Sequence, residues 1–205
     1  MTLVEVAVII AIIVFLGACF LSALSAAHKG TKETTCLNNL HEIGVAHLQW
    51  VNDNNQFPLL STAYNRSGAS AHNDSAYVLW QEMSNQLKTP KILVCPADRK
   101  RIAATNFAVA FGNANISYFL NTAAKTDPQT VLGGDANLTV DGVRVQTGIL
   151  NVWTNSRVGW TKERNHGLAG WGNIVMADGS LSTTTPNTLN FAFTTSLATN
   201  RLAIP

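Results

Sequence analysis

The chain has 205 residues, 13% of them charged, and a formal net charge of +2 at neutral pH. That length suits one globular domain with an accessory segment, and so weak and balanced a charge leaves no electrostatic footprint for nucleic acid. The polar surface is built largely from Asn and Thr, a composition suited to turns and β structure. The three cysteines, Cys19, Cys36 and Cys95, form no CxxC or CxxCH spacing, and no HExxH occurs, so zinc, covalent haem and metalloprotease chemistry have no motif to rest on.

The opening run, "MTLVEVAVIIAIIVFLGACFLSALSAAHKG", holds one carboxylate, Glu5, and then no formal charge before Lys29. The 22 residues from Val6 to Ala27, as a helix rising about 1.5 Å per residue, reach roughly 33 Å, enough for the hydrocarbon of a bilayer. A secretory signal places basic residues before an apolar core of about 7–15 residues. Here an acid precedes the core and no base does, which argues against that assignment. An ionisable side chain in such a segment is a functional hypothesis with a partner to be named. Glu5 has three readings: an interfacial residue, a proton or ion site, or the counter-charge to a cation brought by another subunit. The second wants a further intramembrane acid, which the run lacks. For the third, the nearest cation is the α-amino group of Met1 in a neighbouring copy.

"TLVEVAVIIAIIVFL" resembles the mature N-terminus of type IV pilins and type II secretion pseudopilins. The resemblance implies removal of a leader, methylation of the new N-terminus, and pairing of the fifth-position Glu with a neighbour's N-terminus during assembly. Glu5 matches that acid, and Thr2-Leu3-Val4 match the residues before it. Met1 departs from the usual Phe, and Ser22 from a Pro often found there; Gly17 offers another point for unwinding. Met1 as an initiator with no leader is the other reading of this end. The resemblance further implies a pilin fold of class α+β, with a long N-terminal α-helix packed on an antiparallel β-sheet. It implies a structural subunit of an extracellular filament, a helical homopolymer served by a prepilin peptidase and inner-membrane assembly machinery. The subunit would lie in the inner membrane before assembly and at the cell surface, or in a periplasmic pseudopilus, after it. The alternatives are a type II secretion pseudopilus component and a membrane-tethered monomeric binding domain.

Beyond Lys29 the apolar positions Leu37, Leu40, Gly44, His47 or Leu48, and Val51 mark one face of a helix. With no proline before Pro58, one helix of about 50 residues and roughly 75 Å is expected. Residues 1–53 then form the helix, with 1–28 its hydrophobic part, and 54–205 the head domain. Gly30 and Gly44 permit bends. His41 and His47 are about 600° apart around the axis, share no face, and read as boundary residues.

"CLNNLHEIGVAHLQWVNDNNQFP" resembles a stretch in pseudopilin-like proteins of Verrucomicrobia and Planctomycetes, and "MSNQLKTPKILVCPAD", "NISYFLN", "MADGSL" and "NRLAIP" extend the likeness through the head. "SAYVLWQEMSNQL" predicts a helix with Ser75 as N-cap, and "KILVCP" a short buried strand or extended segment stopped by Pro96. "NLTVDGVRVQ" and "NIVMADGSLST" each set Asp-Gly between alternating runs and predict hairpins with two-residue turns. "ISYFLN" predicts a strand and "NTLNFAFTTSLA" a C-terminal helix. The helix would cover the apolar face of a sheet of at least four strands.

Because the exported part of a pilin meets an oxidising compartment, the resemblance makes Cys36 and Cys95 a disulfide candidate; two buried free thiols are the other reading. Cys19 is expected to be a free thiol facing lipid or another subunit. Asp135, Asn137, Thr139 and Asp141 alternate in a way that invites calcium, which major pseudopilins bind in this region. Val140 stands where an EF-hand needs Gly, and turn chemistry explains the same residues. No other cofactor is implied. His166 and Asp178 read either as a catalytic pair or as a histidine bonded to the following hairpin. No GxSxG elbow accompanies them, and the expectation is a non-enzyme. Trp153, Trp160 and Trp171 are candidates for a binding platform; core or subunit contacts are the alternative for the five tryptophans.

Overall fold

A computed structural model describes residues 2–54, 76–124, 127–161 and 170–205, with backbone alone for 22, 23 and 25–29. Met1, Ser75 and His166, and the FP dipeptide at 57–58, lie outside the described residues.

The first helix, α1, runs unbroken over Leu3–Asn54, 52 residues, or about 78 Å. Its two halves live in different surroundings. From Cys36 onward it contributes Cys36, Leu40, Ile43, Ala46 and Trp50 to the core, all nearly or fully buried. These fall at three- and four-residue intervals, the stripe that a helix must present to one neighbour. Gly44 belongs to the same stripe, and its role is contact rather than bending. A Cβ there would stand 2.9 Å from Val175 Cγ2 and 3.6 Å from the Gly179 backbone, so the missing side chain lets helix and sheet approach.

Nine strands follow among the described residues. Six, β1 (Tyr118–Asn121), β2 (Val131–Asp135), β5 (Gly148–Trp153), β7 (Gly172–Met176), β8 (Leu181–Thr184) and β9 (Thr199–Ile204), form one sheet in the order β5-β9-β1-β2-β7-β8. Every neighbouring pair in it is antiparallel. The others, β3 (Leu138–Val140), β4 (Val143–Arg144) and β6 (Val158–Trp160), make a small antiparallel sheet in the order β4-β3-β6. The class is α+β, a long helix on an antiparallel sheet.

The central strands β1, β2 and β7 of the large sheet are buried on both faces, which is more than the sequence predicted. Alternate residues serve opposite cores. Tyr118, Leu120, Leu132, Val175 and Ala203 meet α1 and the short helical segments around 77–93. Phe119, Val131, Ile174, Leu202 and Ile204 join a second core, closed by Leu189 and Phe193 of the C-terminal helix and by Leu138, Val158 and Trp160 of the small sheet. That C-terminal helix spans Pro186–Ser196; it starts on a capping box from Thr185 to Thr188, with Pro at its first turn. Two buried asparagines stitch the central strands. Asn121 donates from Nδ2 to Val131 O and Asn200 Oδ1, both at 2.8 Å, and its Oδ1 accepts from Arg201 N at 3.1 Å.

Both Asp-Gly hairpins form, by different turns. Asp141 and Gly142, at φ 51° and 80°, make the two-residue turn between β3 and β4. Around Asp178-Gly179 the loop is a residue longer: Met176 O accepts from Gly179 N, Met176 N donates to Ser180 O, and only Gly179 has positive φ, at 84°. That is a turn followed by a glycine bulge. The first residues of "KILVCP" lie in a 3₁₀ turn, Pro90–Leu93, and not in a strand, while the chain is extended at Val94. Thr89 caps the turn and Pro90 supplies a preset φ, which favours a helical start over a ladder that Pro cannot join. The predicted helix before it divides into Tyr77–Glu82 and Ser84–Leu87 at Met83. Asn113 Oδ1, distant in sequence, accepts from Tyr77 N at 3.0 Å.

Cys36 and Cys95 are joined, with Cα atoms 5.1 Å apart. Beside them Asn39 Nδ2 donates to Val94 O at 3.1 Å, so a covalent and a polar tie fix α1 to the same segment. The bridge spans 59 residues of sequence, and in the chain-entropy account closing a loop of that size stabilises by about 4 kcal/mol. The double variant Cys36→Ser, Cys95→Ser is expected to unfold at markedly lower urea, with a slope equal to or steeper than the parent's because the unlinked chain unfolds to a more expanded state. A midpoint equal to that of the parent would remove the bridge from the account.

Candidate functional site

The first half of α1 is the part of the molecule that its own fold leaves unexplained. Leu3–Leu21 is long and apolar enough to cross a membrane and none of it is buried against the rest of the chain. Side chains such as Ile9, Ile10, Ile12, Ile13 and Phe15 are exposed around the whole circumference. Helices apolar on every side are typical of membrane spans and buried cores, and an ordinary soluble monomer exposes apolar patches of only a few hundred Å². The run of Val and Ile points the same way. β-branched residues are mediocre helix formers in water, yet in hydrocarbon the helix satisfies its own backbone and the penalty of leaving it is far larger.

Glu5 sits in the first turn of this helix and is exposed. Its Oε2 accepts from Thr2 N at 2.7 Å, while Thr2 Oγ1 accepts from Glu5 N at 3.4 Å. Thr2 and Glu5 thus form a reciprocal capping box, the T-x-x-E pattern that serves donors left open at a helix start. The signal was visible in "TLVE", although the sequence reading assigned Glu5 no partner within its own chain. Cys19 is exposed and outside any disulfide.

The remaining candidates separate. Asp135 is fully buried in β2 and accepts from Asn173 N at 2.8 Å; Asn137 is buried and donates to Thr161 O at 3.4 Å. Asp141 lies in the exposed hairpin turn, where its Oδ1 accepts from Arg157 N at 2.8 Å. One acid belongs to the large sheet and the other to the small one, each engaged in local backbone bonding. Among the described residues no group of three or more His, Cys, Asp or Glu is placed to hold a metal ion. Asp178 is exposed; its Oδ1 accepts from Ser180 N at 2.8 Å, and bonding with Ser180 holds its carboxyl below the usual value.

The tryptophans divide as well. Trp50, Trp80 and Trp160 are buried, Trp171 is half-buried, and Trp153 is exposed on the edge strand β5. Trp160 donates from Nε1 to Thr184 O at 2.8 Å and lies over Gly172, where a Cβ would meet its ring at 2.9 Å. It is a core residue, so Trp153, Trp160 and Trp171 do not share an exposed platform.

His41 is exposed, as a boundary residue would be, but His47 is buried in the face that α1 turns to the head. Burial pushes its pKa down from 6.5 to about 4. Folding therefore opposes its protonation. Between these values the unfolded chain binds the proton and the folded one does not, so stability falls as pH drops from about 6.5 towards 4 and levels off below. The loss from this one group is on the order of 3 kcal/mol. The thermal midpoint should decline over that window, and His47→Leu should flatten the decline. An equal slope in the variant would assign the acid sensitivity elsewhere.

No protein-family model, no curated protein and no solved structure matches this chain.

Proposed function

We propose that the protein is a pilin-like structural subunit: it waits in a membrane by the apolar half of α1 and then assembles, through that half, into a helical filament of its own copies. The observation that carries the reading is a single continuous helix with two solvents. Its lower half is built into the core of the head, and its upper half is apolar all round, unburied, and charged only at Glu5. A head joined through a disulfide and a close glycine contact moves with its helix, so packing the helices places the heads around them.

Moving an apolar helix from lipid into a helical bundle changes little apolar burial. Side-chain packing and the pairing of Glu5 with a neighbour's N-terminal amine then set the axial register. A buried ion pair contributes little net stability, but it is a good register device because a misaligned subunit leaves the charge unpaired. The resemblance of "TLVEVAVIIAIIVFL" to pilin and pseudopilin N-termini supports the same reading.

Shearing cells and sedimenting the released material tests it. The reading expects the protein in long sheared particles as well as in the membrane fraction. Recovery from the membrane alone, as a detergent-soluble monomer, would favour a tethered head domain instead.

A further inference from the structure

We propose that the rim of the head nearest the apolar run, with Arg99, Lys100 and Ile102 at its tip, docks on the anionic phospholipid headgroups of the bilayer that α1 enters. The proposal rests on the membrane half of the reading above and needs no filament. The segment from Val94 to Ile102 is fixed to the end of the head from which the run emerges. Cys95 is bonded to Cys36, and Asn39 Nδ2 donates to Val94 O at 3.1 Å. From there the segment crosses the ends of β1 and β9: Ser117 Oγ donates to Asp98 Oδ2 at 3.0 Å, and Arg101 Nη2 donates to Pro205 O at 2.9 Å. Arg99 and Lys100 are exposed between these ties, and Ile102 beside them is 78% exposed.

Distance and charge select the partner. For a helix along the membrane normal, Cys36 stands about 14 Å beyond Ala27, the last residue of the apolar run. A headgroup layer fills roughly 5–7 Å of that, and the ~7 Å left is shorter than the Debye length of about 8 Å at physiological salt. Lys29 and Lys32 of α1 fall within and just beyond the layer. The acids at this level are Glu33, half-buried, and Asp98, which is buried and accepts from Ser117 Oγ and from Lys100 N at 3.0 Å. Exposed Asp53, Asp127 and Asp178 lie at the far end of the head. Asp53 is near the end of α1, about 26 Å beyond Cys36; the other two occupy the loops after β1 and β7, at the strand ends away from Ser117. These charges make the end that faces the bilayer basic and set acids away from it. An anionic surface therefore attracts the rim and orients the head, each base adding about fivefold to the docked population, and Ile102 supplies an aliphatic contact at the interface.

The test uses the full chain with Cys19→Ser and Ala103→Cys, an environment-sensitive dye on residue 103, and a single copy in each lipid nanodisc. In discs of phosphatidylcholine mixed with phosphatidylglycerol the dye should shift to the blue at low salt and return at high salt. In pure phosphatidylcholine it should not shift. Arg99→Gln and Lys100→Gln should each lower the docked-to-free ratio about fivefold at an unchanged thermal midpoint. Amide exchange over residues 96–104 of the unlabelled parent should slow in the same anionic discs, a readout that needs no substitution. Equal emission and exchange in both kinds of disc, with the protein retained in them, would overturn the inference and leave the membrane reading in place. An undiminished shift in the double variant Arg99→Gln, Lys100→Gln would overturn it too. So would a shift in neutral discs that needs several copies per disc, which would assign the rim to a second copy of the chain. Failure of the parent to enter either disc would remove the membrane reading along with the inference.

Discussion

If the protein assembles as proposed, Glu5→Ala is expected to leave it in the membrane at its normal level and to lower the yield of sheared filament at least about tenfold. The asymmetry follows from what Glu5 does in each state. Insertion depends on the apolar run, and removing one acid makes that run more apolar, so the membrane fraction should hold or rise. In the proposed bundle the substitution would leave a neighbour's amine without its counter-charge. Breaking a buried pair by removing one partner costs on the order of 3–5 kcal/mol per contact, and a helical polymer repeats that contact at every subunit. Glu5→Gln, which keeps an acceptor for Thr2 N but loses the charge, should fall between parent and Ala. Equal filament yield from parent and Glu5→Ala would sink the pairing mechanism.

The second large effect belongs to the head. Gly134→Ala should lower the thermal midpoint of the full chain by roughly 6–12 °C, the equivalent of about 3 kcal/mol of overpacking. Gly134 lies in β2 at the centre of the six-stranded sheet. A Cβ there would come to 2.6 Å from Asn173 O, 2.9 Å from Ile174 Cγ2 and 3.1 Å from Phe119 Cε1. The nearest of these is a backbone carbonyl in the ladder to β7, which cannot yield without breaking register, and the aromatic ring is fixed in the second core. Gly112→Ala is the control. Its backbone is extended at φ −166° and nothing lies within 4 Å of its Cβ position, so its effect should stay within about 0.5 kcal/mol. Comparable losses at both positions would mean that the crowding around Gly134 is not what limits the fold.

These two positions show what the sequence makes legible. α1 was readable end to end, because periodicity and the absence of proline act over four residues at a time and need no knowledge of the partner surface. The Asp-Gly hairpins and the C-terminal helix were readable for the same local reason: positive φ, and a Thr-Pro start. The length of the Asp178-Gly179 loop was not, since it depends on how β7 and β8 register against each other. In "KILVCP" the apolar run satisfies a strand and a buried 3₁₀ turn equally; Thr89-Pro90 decides for the turn, and the chain becomes extended only at Val94. The second core was hidden in "TVLGGDANLTV" and "NISYFLN". A strand buried on both faces loses the alternation that marks its orientation, and the small sheet that covers it is assembled from segments far apart in sequence.

At the candidate site the apolar run and Glu5 stood out because composition alone makes a lone acid there costly. Thr2 is legible within "TLVE", because three-residue spacing from Thr to Glu is a capping signature. The burial of His47 is not legible from its angle to His41 around α1, because it follows from the sheet that α1 covers. The crowding at Gly134 could not be anticipated, since it comes from β1 and β7 on either side of it.

Cryo-electron microscopy of material sheared from cells, with intact mass of the same sample, tests the central claim most directly. The account predicts helical filaments with the apolar halves of α1 bundled at the axis and the heads outside. It further predicts Glu5 of each subunit within hydrogen-bonding distance of a neighbour's methylated Met1 amine. Absence of filaments, with an unmodified N-terminus on protein recovered from the membrane alone, would contradict it.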